Sequence, residues 1–311
     1  MDVSVIIPAY NRLWCLPRAI ASCRNTRCAT EIIVVDDGST DGTWEWLQQQ
    51  PDLRPFRQPN QGQTWAVNHG IRHATGRYLR FLDSDDFLAP GTIDRQFERA
   101  RATGAQVVYG RVDDYDEQSQ SVRRAYPDTP VWDDFIAVML GEGYGSHFLG
   151  MQFARELLEQ APRRPDFALR EDRMFLLEIA LQHPTTAATP GCAGYWVHHD
   201  GQMHTGYQGL RVTLAAAQML ALYRRILTTL QARGELTPRR ARAATPVIWH
   251  AAHALARTHL PEAAAAAAWC QELQPDFVPP ESAPMRAALR LLGYRNVQRL
   301  LALRRVLLRR S

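Results

Sequence analysis

The first hundred residues alternate between short apolar runs and segments of helical spacing. Val3–Ile7 is an apolar run closed by Pro8, which predicts a buried strand. Leu16–Arg24 has helical spacing, and Glu31–Val35 is a second buried strand that runs directly into Asp36-Asp37-Gly38-Ser39. Helical spacing returns over Thr43–Gln50 and Gln63–Ala74. A strand follows at 77–82, then a helix near Thr92–Thr103 and a strand over Gln106–Tyr109. This alternation predicts an α/β fold, a mostly parallel sheet with helices on both faces. Four successive strands end in polar or turn residues, at Tyr10-Asn11, Asp36-Asp37, Asn60 and Asp83–Asp86, all on one rim. From about Gln208 only helical patterns remain: Leu210–Arg233, Arg239–Thr258 and Glu262–Leu273, then a break at Pro275, Pro279, Pro280 and Pro284, and a last helix over Met285–Arg310. The expected organisation is an α/β domain over 1–206 and a helical C-terminal region over 207–311, without internal repeats.

Composition is that of an ordinary globular protein, 46% hydrophobic and 22% charged. The formal net charge is +4, and all 36 basic residues are arginine. The five cysteines (Cys15, Cys23, Cys28, Cys192, Cys270) include no CxxC pair, which argues against a disulfide framework and fits a reducing cytoplasm. The start, Met1-Asp2-Val3, lacks the basic segment of a signal peptide, and no window approaches the ~20 apolar residues of a membrane span. The expected location is cytoplasmic, with one qualification. The last helix carries eight arginines (286, 290, 295, 299, 304, 305, 309, 310) and no acidic residue, with Leu289, Leu292, Leu300, Leu303 and Leu307 along one face. Such a helix suits an anionic membrane surface, which would make the protein peripheral on the inner face of the cell membrane. The alternative is a helix packed on the body, its arginine stems covering apolar surface. Nucleic acid is not an expected partner, because there is no aromatic platform and no reader motif.

The most informative stretch is Arg77-Tyr-Leu-Arg-Phe-Leu-Asp-Ser-Asp-Asp86. Tyr78, Leu79, Phe81 and Leu82 would bury a strand, so Asp83, Asp85 and Asp86 emerge at its carboxyl end, the rim where open α/β sheets bind ligands. Crowded carboxylates repel one another unless a cation lies between them, and a hard divalent ion that also touches phosphates suits such a site. The plainer reading is a solvated acidic turn.

Five segments in order then carry a family resemblance: Val3-Ser-Val-Ile-Ile-Pro-Ala-Tyr-Asn11, Val34-Val-Asp-Asp-Gly-Ser-Thr-Asp-Gly-Thr43, Asn60-x-Gly62, Asn68-x-Gly70 and Gly76–Asp86. They resemble the inverting family 2 glycosyltransferases of GT-A fold, over about the first third of the chain, with weaker features to about residue 205. The resemblance implies a Rossmann-like mixed sheet whose nucleotide-sugar half spans about 1–110 and whose acceptor half spans about 111–206. It implies donor contacts from Pro8, Ala9, Tyr10, Asn11, Asn60 and Asn68, with the Tyr10 ring offered to a base. Asp37 is similar to the family's aspartate that accepts from the uracil N–H, and Asp36 orders the turn or the ribose region. Asp83-Ser84-Asp85 looks like the DxD element: Asp85 binds Mn²⁺ or Mg²⁺, and Asp83 holds the ribose or the metal's water shell. Asp86 orients sugar hydroxyls or caps the next helix.

Inverting transfer also needs a base for the acceptor hydroxyl. Arg170-Glu171-Asp172 is similar to the family's Glu-Asp element, with Asp172 as the base and Glu171 in support, although acids in a first helical turn are also favoured by the helix dipole. The family often has an arginine about six residues later, where this chain has Glu178. Trp196-Val-His-His-Asp-Gly-Gln-Met-His204 resembles a late loop that closes over the diphosphate, with His199 as a metal or phosphate ligand and His198 and His204 as alternatives. His250 and His253, one helical turn apart, are not expected to be ligands. The implied activity is transfer of a sugar from a nucleotide donor, UDP-linked, to a hydroxyl of a glycan, lipid-linked saccharide or other acceptor, as in bacterial surface polysaccharide synthesis. Two other readings stand beside it. One is a non-catalytic nucleotide-sugar-binding domain. The other is a sugar-1-phosphate nucleotidyltransferase, which would need a glycine-rich basic loop where Pro8-Ala-Tyr-Asn11 stands.

Overall fold

Every residue of the first strand, β1 (Val3–Ala9), is buried, and all but the first of β2 (Thr30–Asp36) are. Strands covered on both faces read as continuous apolar runs, and the sequence shows that pattern here. The computed structural model describes residues 1–128, 130–143, 147–161, 163, 167, 169–200 and 209–308, with side chains as far as 304. The elements that follow β1 are α1 (Leu16–Ala21), β2, α2 (Thr43–Leu47), β3 (Leu53–Arg57), α3 (Gln63–His73), β4 (Tyr78–Phe81), β5 (Phe87–Leu88), α4 (Thr92–Thr103), β6 (Val107–Asp116), β7 (Ser121–Arg124) and α5 (Phe135–Leu140). A short 3₁₀ turn at Phe148–Gly150 then leads into β8 (Met151–Ala154), α6 (Arg155–Gln160), α7 (Glu171–Ala180) and β9 (Thr186–His198).

These strands form one nine-stranded sheet in the order β3-β2-β1-β4-β8-β6-β9-β5, with β7 beside β6. The half made of β3, β2, β1 and β4 is parallel, as expected, because a helix crosses over between each consecutive pair. The other half is mixed: β8 runs antiparallel to β4 and β6, β9 runs parallel to β6, and β5 antiparallel to β9. The sequence pattern did not signal β8, and β9 is interrupted by Pro190, Gly191 and Gly194, which hide its thirteen-residue length. The strand expected at Gln106–Tyr109 continues as β6 to Asp116, with register shifts on either side of Arg111.

The chain divides into two compact units, Met1–Phe135 with Tyr144–Gln202, and Ile136–Gly143 with Met203–Ser311. The second contains α8 (Leu210–Ala232), α9 (Pro238–Leu255), α10 (Leu260–Leu273) and α11 (Ala283–Leu308). The segment 136–143 is anchored there: Tyr223 donates from its hydroxyl to the Leu140 carbonyl (2.8 Å), and Arg239 pairs with Glu142 (2.7 Å). Small residues let the helices approach closely, with Ala216, Ala251, Leu255 and Ala263 forming a buried cluster. The last helix is not continuous. Gly293, at φ 74°, breaks it into two, because a left-handed residue cannot extend an α-helix.

Arg80 and Glu31 are among the charged side chains buried inside the α/β unit. Arg80 on β4 donates to Gln96 and to the Leu149 carbonyl, and burial pulls its guanidinium down to about 10. Glu31 on β2 accepts from Ser4 Oγ (2.6 Å), the Thr75 N–H (2.6 Å) and hydroxyl (2.8 Å), and Arg54. It ties β1 and β2 to the turn before β4. Burial alone would raise the Glu31 carboxyl, but Ser4, Thr75 and Arg54 hold it at about 2, below its ordinary 4.5. A depressed carboxyl stabilises the fold fully above the unfolded pKa, and that contribution is lost as pH falls through the folded one. We expect Glu31→Gln to lower unfolding free energy near neutrality by up to about 3 kcal/mol. In urea titrations at several pH values, the gap between variant and parent should close between pH 4.5 and 2; a gap independent of pH would contradict the assignment.

Candidate active site

Loops from the carboxyl ends of β1, β2, β3 and β4 meet on one rim. After β1 the buried pair Pro8-Ala9 leads to Tyr10, 45% exposed, and to Asn11, whose φ of 52° lies in the left-handed region that asparagine tolerates. The Asn11 N–H donates to Ser39 Oγ (2.8 Å), and the Thr40 N–H donates to Asn11 Oδ1 (2.8 Å), so the turns after β1 and β2 lock together. Asp36 is buried, accepts from the Ser39 N–H (3.2 Å) and pairs with Arg57 (3.1 Å), and so orders the turn. Asp37 is buried as well. Gln58 Nε2 (2.8 Å) and the Gln61 N–H (3.0 Å) donate to its Oδ1, and the Gly62 N–H (2.8 Å) to its Oδ2. The carboxylate thereby closes the 58–62 turn, and one lone pair on Oδ2 remains for a further donor. Asn60 in that turn is exposed.

At the end of β4 the ligand oxygens of Asp83, Asp85 and Asp86 lie within 4.8 Å of one another, with Ser84 buried between them. Gln63, at the start of α3, donates Nε2 to Asp83 (2.7 Å). Asp86 accepts the Val197 N–H (2.9 Å) and thereby fixes the end of β9 against the acidic turn. This brings His199 to Asp85: Nε2 lies 3.2 Å from Asp85 Oδ2, Arg12 Nε lies 3.9 Å from the same oxygen, and the Trp14 ring meets the imidazole edge-on at 5.0 Å. Burial, then the charges of Asp172 and Asp85, push the Asp83 carboxyl well above its usual range. Burial, then Asp83 and Asp85, do the same to Asp86. Three carboxylates crowded this closely, with an imidazole alongside, fit a divalent cation such as Mn²⁺ or Mg²⁺.

The second acidic pair opens α7. Glu171 is buried and accepts from the Thr64 hydroxyl and, at 3.4 Å, from Arg163 NH1. Burial raises its carboxyl, with Arg163 opposing. Asp172 is different: its side chain is 41% exposed, Oδ1 accepts from Arg163 NH1 (2.5 Å), and Oδ2 accepts nothing from the described residues. Asn68 points to neither acid. Its amide N donates to the Arg163 carbonyl (2.7 Å) and its amide O accepts the Arg163 N–H (3.1 Å).

The structure therefore gathers Asp83, Asp85, Asp86, His199, Glu171 and Asp172 at one rim. It ties Asp36, Asp37 and Asn68 into the loops around them. His198 pairs instead with Asp114 (3.4 Å), and Gly201, Gln202 and His204 lie outside the described residues. His250 and His253 belong to the helical unit. Sequence reasoning missed Arg12, Gln58, Gln63, Thr64 and Arg163. Gln63 and Thr64 carry the one usable signal, polar side chains opening a helix directly after a rim glycine; Arg163 carries none.

A profile of the family described as Glycosyl transferase family 2 matches residues 4–167. The succinoglycan biosynthesis protein ExoO of Rhizobium meliloti (strain 1021) is 34% identical over 211 residues, which cover 63% of this chain and 60% of that protein. The chain spans 53% and 60% of the lengths of the first two relatives it matches. TarS 1–349 of S. aureus, in complex with UDP-GlcNAc, superposes with a TM-score of 0.57 at 16% identity, over 94% of this chain and 93% of that one. The mannosyltransferase PcManGT from Pyrobaculum calidifontis, in complex with GDP-Man and Mn²⁺, gives 0.54 at 21% identity, over 97% of this chain and 83% of that one. At such identities the likeness establishes the fold: a GT-A mixed sheet with a helical C-terminal region.

Proposed function

The chain belongs to glycosyltransferase family 2, and from that premise we propose that it is a metal-dependent, inverting transferase acting from a UDP-sugar onto a saccharide hydroxyl. The observation that carries the reading is the convergence of two acidic groups from distant parts of the chain. Adjacent residues at the start of α3 join the two: Gln63 bonds Asp83 and Thr64 bonds Glu171, the neighbour of Asp172, and the Asp172 charge helps to raise the Asp83 carboxyl. Named relatives support the wider role, ExoO in succinoglycan biosynthesis, and solved neighbours support a nucleotide-sugar donor, since they hold UDP-GlcNAc or GDP-Man with Mn²⁺.

In this reading Asp85, with Asp83 and His199, holds the cation, which when bound supplies positive charge to a departing diphosphate. Tyr10 offers its exposed ring to the base, and the free lone pair of Asp37 suits one N–H of a pyrimidine edge. Pro8, Ala9, Asn11 and Asn60 shape the same pocket. Asp172, whose side chain is 41% exposed, takes the proton of the acceptor hydroxyl as the new glycosidic bond forms opposite the leaving group. Glu171, buried and bonded to Thr64, supports the first turn of α7 and does not face the acceptor. The acceptor is a glycan or lipid-linked saccharide, and α11 is the part suited to an anionic bilayer. Its Val297 and Gln298 face the helical unit, while Leu291, Leu292, Leu300 and Leu303 are exposed beside Arg295 and Arg299, with no acidic residue in the helix. Arg309 and Arg310 lie outside the described residues, and no described helix is long and apolar enough to cross a membrane.

Four outcomes are expected. UDP should bind more tightly with Mn²⁺ or Mg²⁺ than with chelator, and Asp85→Asn should abolish the difference; equal affinities in calorimetry would remove the metal from the mechanism. Asp172→Asn should reduce turnover on the order of 10²-fold or more with UDP binding intact. NMR of the product should show the anomeric configuration opposite to the donor's, and retention would reject single displacement. For the membrane, sedimentation with anionic liposomes should fall with added salt, since exposed charges are screened within ~8 Å at physiological ionic strength. It should also fall in Leu300→Gln/Leu303→Gln, which leaves the packed side of α11 intact; unchanged sedimentation in that variant would end the membrane reading.

A further inference from the structure

Arg163 is the largest unexplained investment of charge near the rim. Its side chain is fully buried, and its guanidinium carbon lies 5.0, 5.1 and 5.0 Å from the ring centroids of Phe81, Phe148 and Phe175. Burying a cation this way is costly unless it is paired, yet Nε and NH2 make no hydrogen bond among the described residues. Among the described residues the polar contacts of the side chain run through NH1, to Asp172 Oδ1 at 2.5 Å and Glu171 Oε1 at 3.4 Å. Burial would pull the guanidinium down, but Asp172, Glu171 and Asp83 hold it above its ordinary value. Its main chain is held as firmly, gripped from both sides by the Asn68 amide on α3. An aromatic box, a side-chain clamp and a one-nitrogen contact to a half-exposed carboxylate together describe a part that aims another part.

We propose that Arg163 is the positioning residue for Asp172. The guanidinium occupies Oδ1, which leaves Oδ2 as the oxygen directed at an acceptor and holds the carboxylate in one rotamer. The three rings keep the guanidinium from turning away, and Asn68 transmits the position of α3, whose first residues Gln63 and Thr64 touch Asp83 and Glu171. The cation-site half of the rim and the base are thereby set by one short helix. Arg163 itself, enclosed by rings and acids, does not touch substrate. This inference rests on Asp172 being the base.

The test is a double-mutant cycle on the full chain. Arg163→Met fills the box with a flexible apolar side chain and removes the contact to Oδ1. Asn68→Ala loosens the same contact without altering buried charge, and carries the test should Arg163→Met fail to fold. Each should lower kcat by about tenfold or more, with UDP affinity in the presence of Mn²⁺ unchanged by calorimetry. In the Asp172→Asn background each should lower the residual kcat by no more than about twofold, because a residue that acts only through Asp172 has nothing left to act on. A loss of equal factor in both backgrounds, or a parallel loss of UDP affinity, overturns the proposal and makes Arg163 a structural support for the rim. If Asp172→Asn alone keeps parental turnover, the base assignment fails first and takes this inference with it, an outcome read from a different variant.

Discussion

Negative charge gathered at the end of one sheet is the constraint on which the rest of the α/β unit depends. Asp83, Asp85 and Asp86 place carboxylate oxygens within 4.8 Å of one another, and α7 adds Glu171 and Asp172 to the same rim. Two like charges at that spacing repel by about 3 kcal/mol at an effective dielectric near 20. The fold answers with specific groups. Arg163 meets the α7 pair, Arg12 and His199 approach Asp85, Gln63 bonds Asp83, and the Val197 amide bonds Asp86. The carboxyls of Asp83 and Asp86 nevertheless stay raised, by burial and by their acidic neighbours.

The two halves of the sheet contribute differently to that arrangement. The parallel half brings four loops to one rim and welds them: Asn11 to Ser39 and Thr40, and Asp37 to Gln58, Gln61 and Gly62. Residues that resemble donor contacts, Asn11 and Asp37, thus also hold the loops together, and a substitution of either will disturb loop order. The mixed half acts through β9, whose long parallel run against β6 carries the chain back to the rim and delivers His199. Its end is fastened by Asp86 itself, so one member of the acidic turn is spent on placing the imidazole beside another.

Glu171 and Asp172 are adjacent in sequence yet meet opposite environments. The first turn of α7 points Glu171 inward, to Thr64 and Arg163, and leaves Asp172 half exposed, with Oδ2 accepting nothing from the described residues. Burial sorts the pair into a support and a candidate base, a division that residue type alone could not make.

Much of the fold was legible in the sequence because its causes are local. Apolar runs ending in Asp or Asn marked β1, β2 and β4, and helical periodicity marked α3, α4 and α8 to α10. The acidic turn was legible for the same reason, since a buried strand must release its polar end at the rim. Other features were decided only by tertiary structure. β8 and the length of β9 depend on strand partners distant in sequence, and Pro190, Gly191 and Gly194 erase the local pattern that would reveal them. The break in α11 turns on the single backbone angle at Gly293. Arg163 shows the limit most clearly. Flanked by prolines and another arginine, it has no period and no motif, and its significance comes from three phenylalanines, an asparagine and two acids drawn from β4, α3, α7 and the 3₁₀ turn. A sequence records which charges exist; only packing determines which of them are buried together, and burial sets what a charge can do.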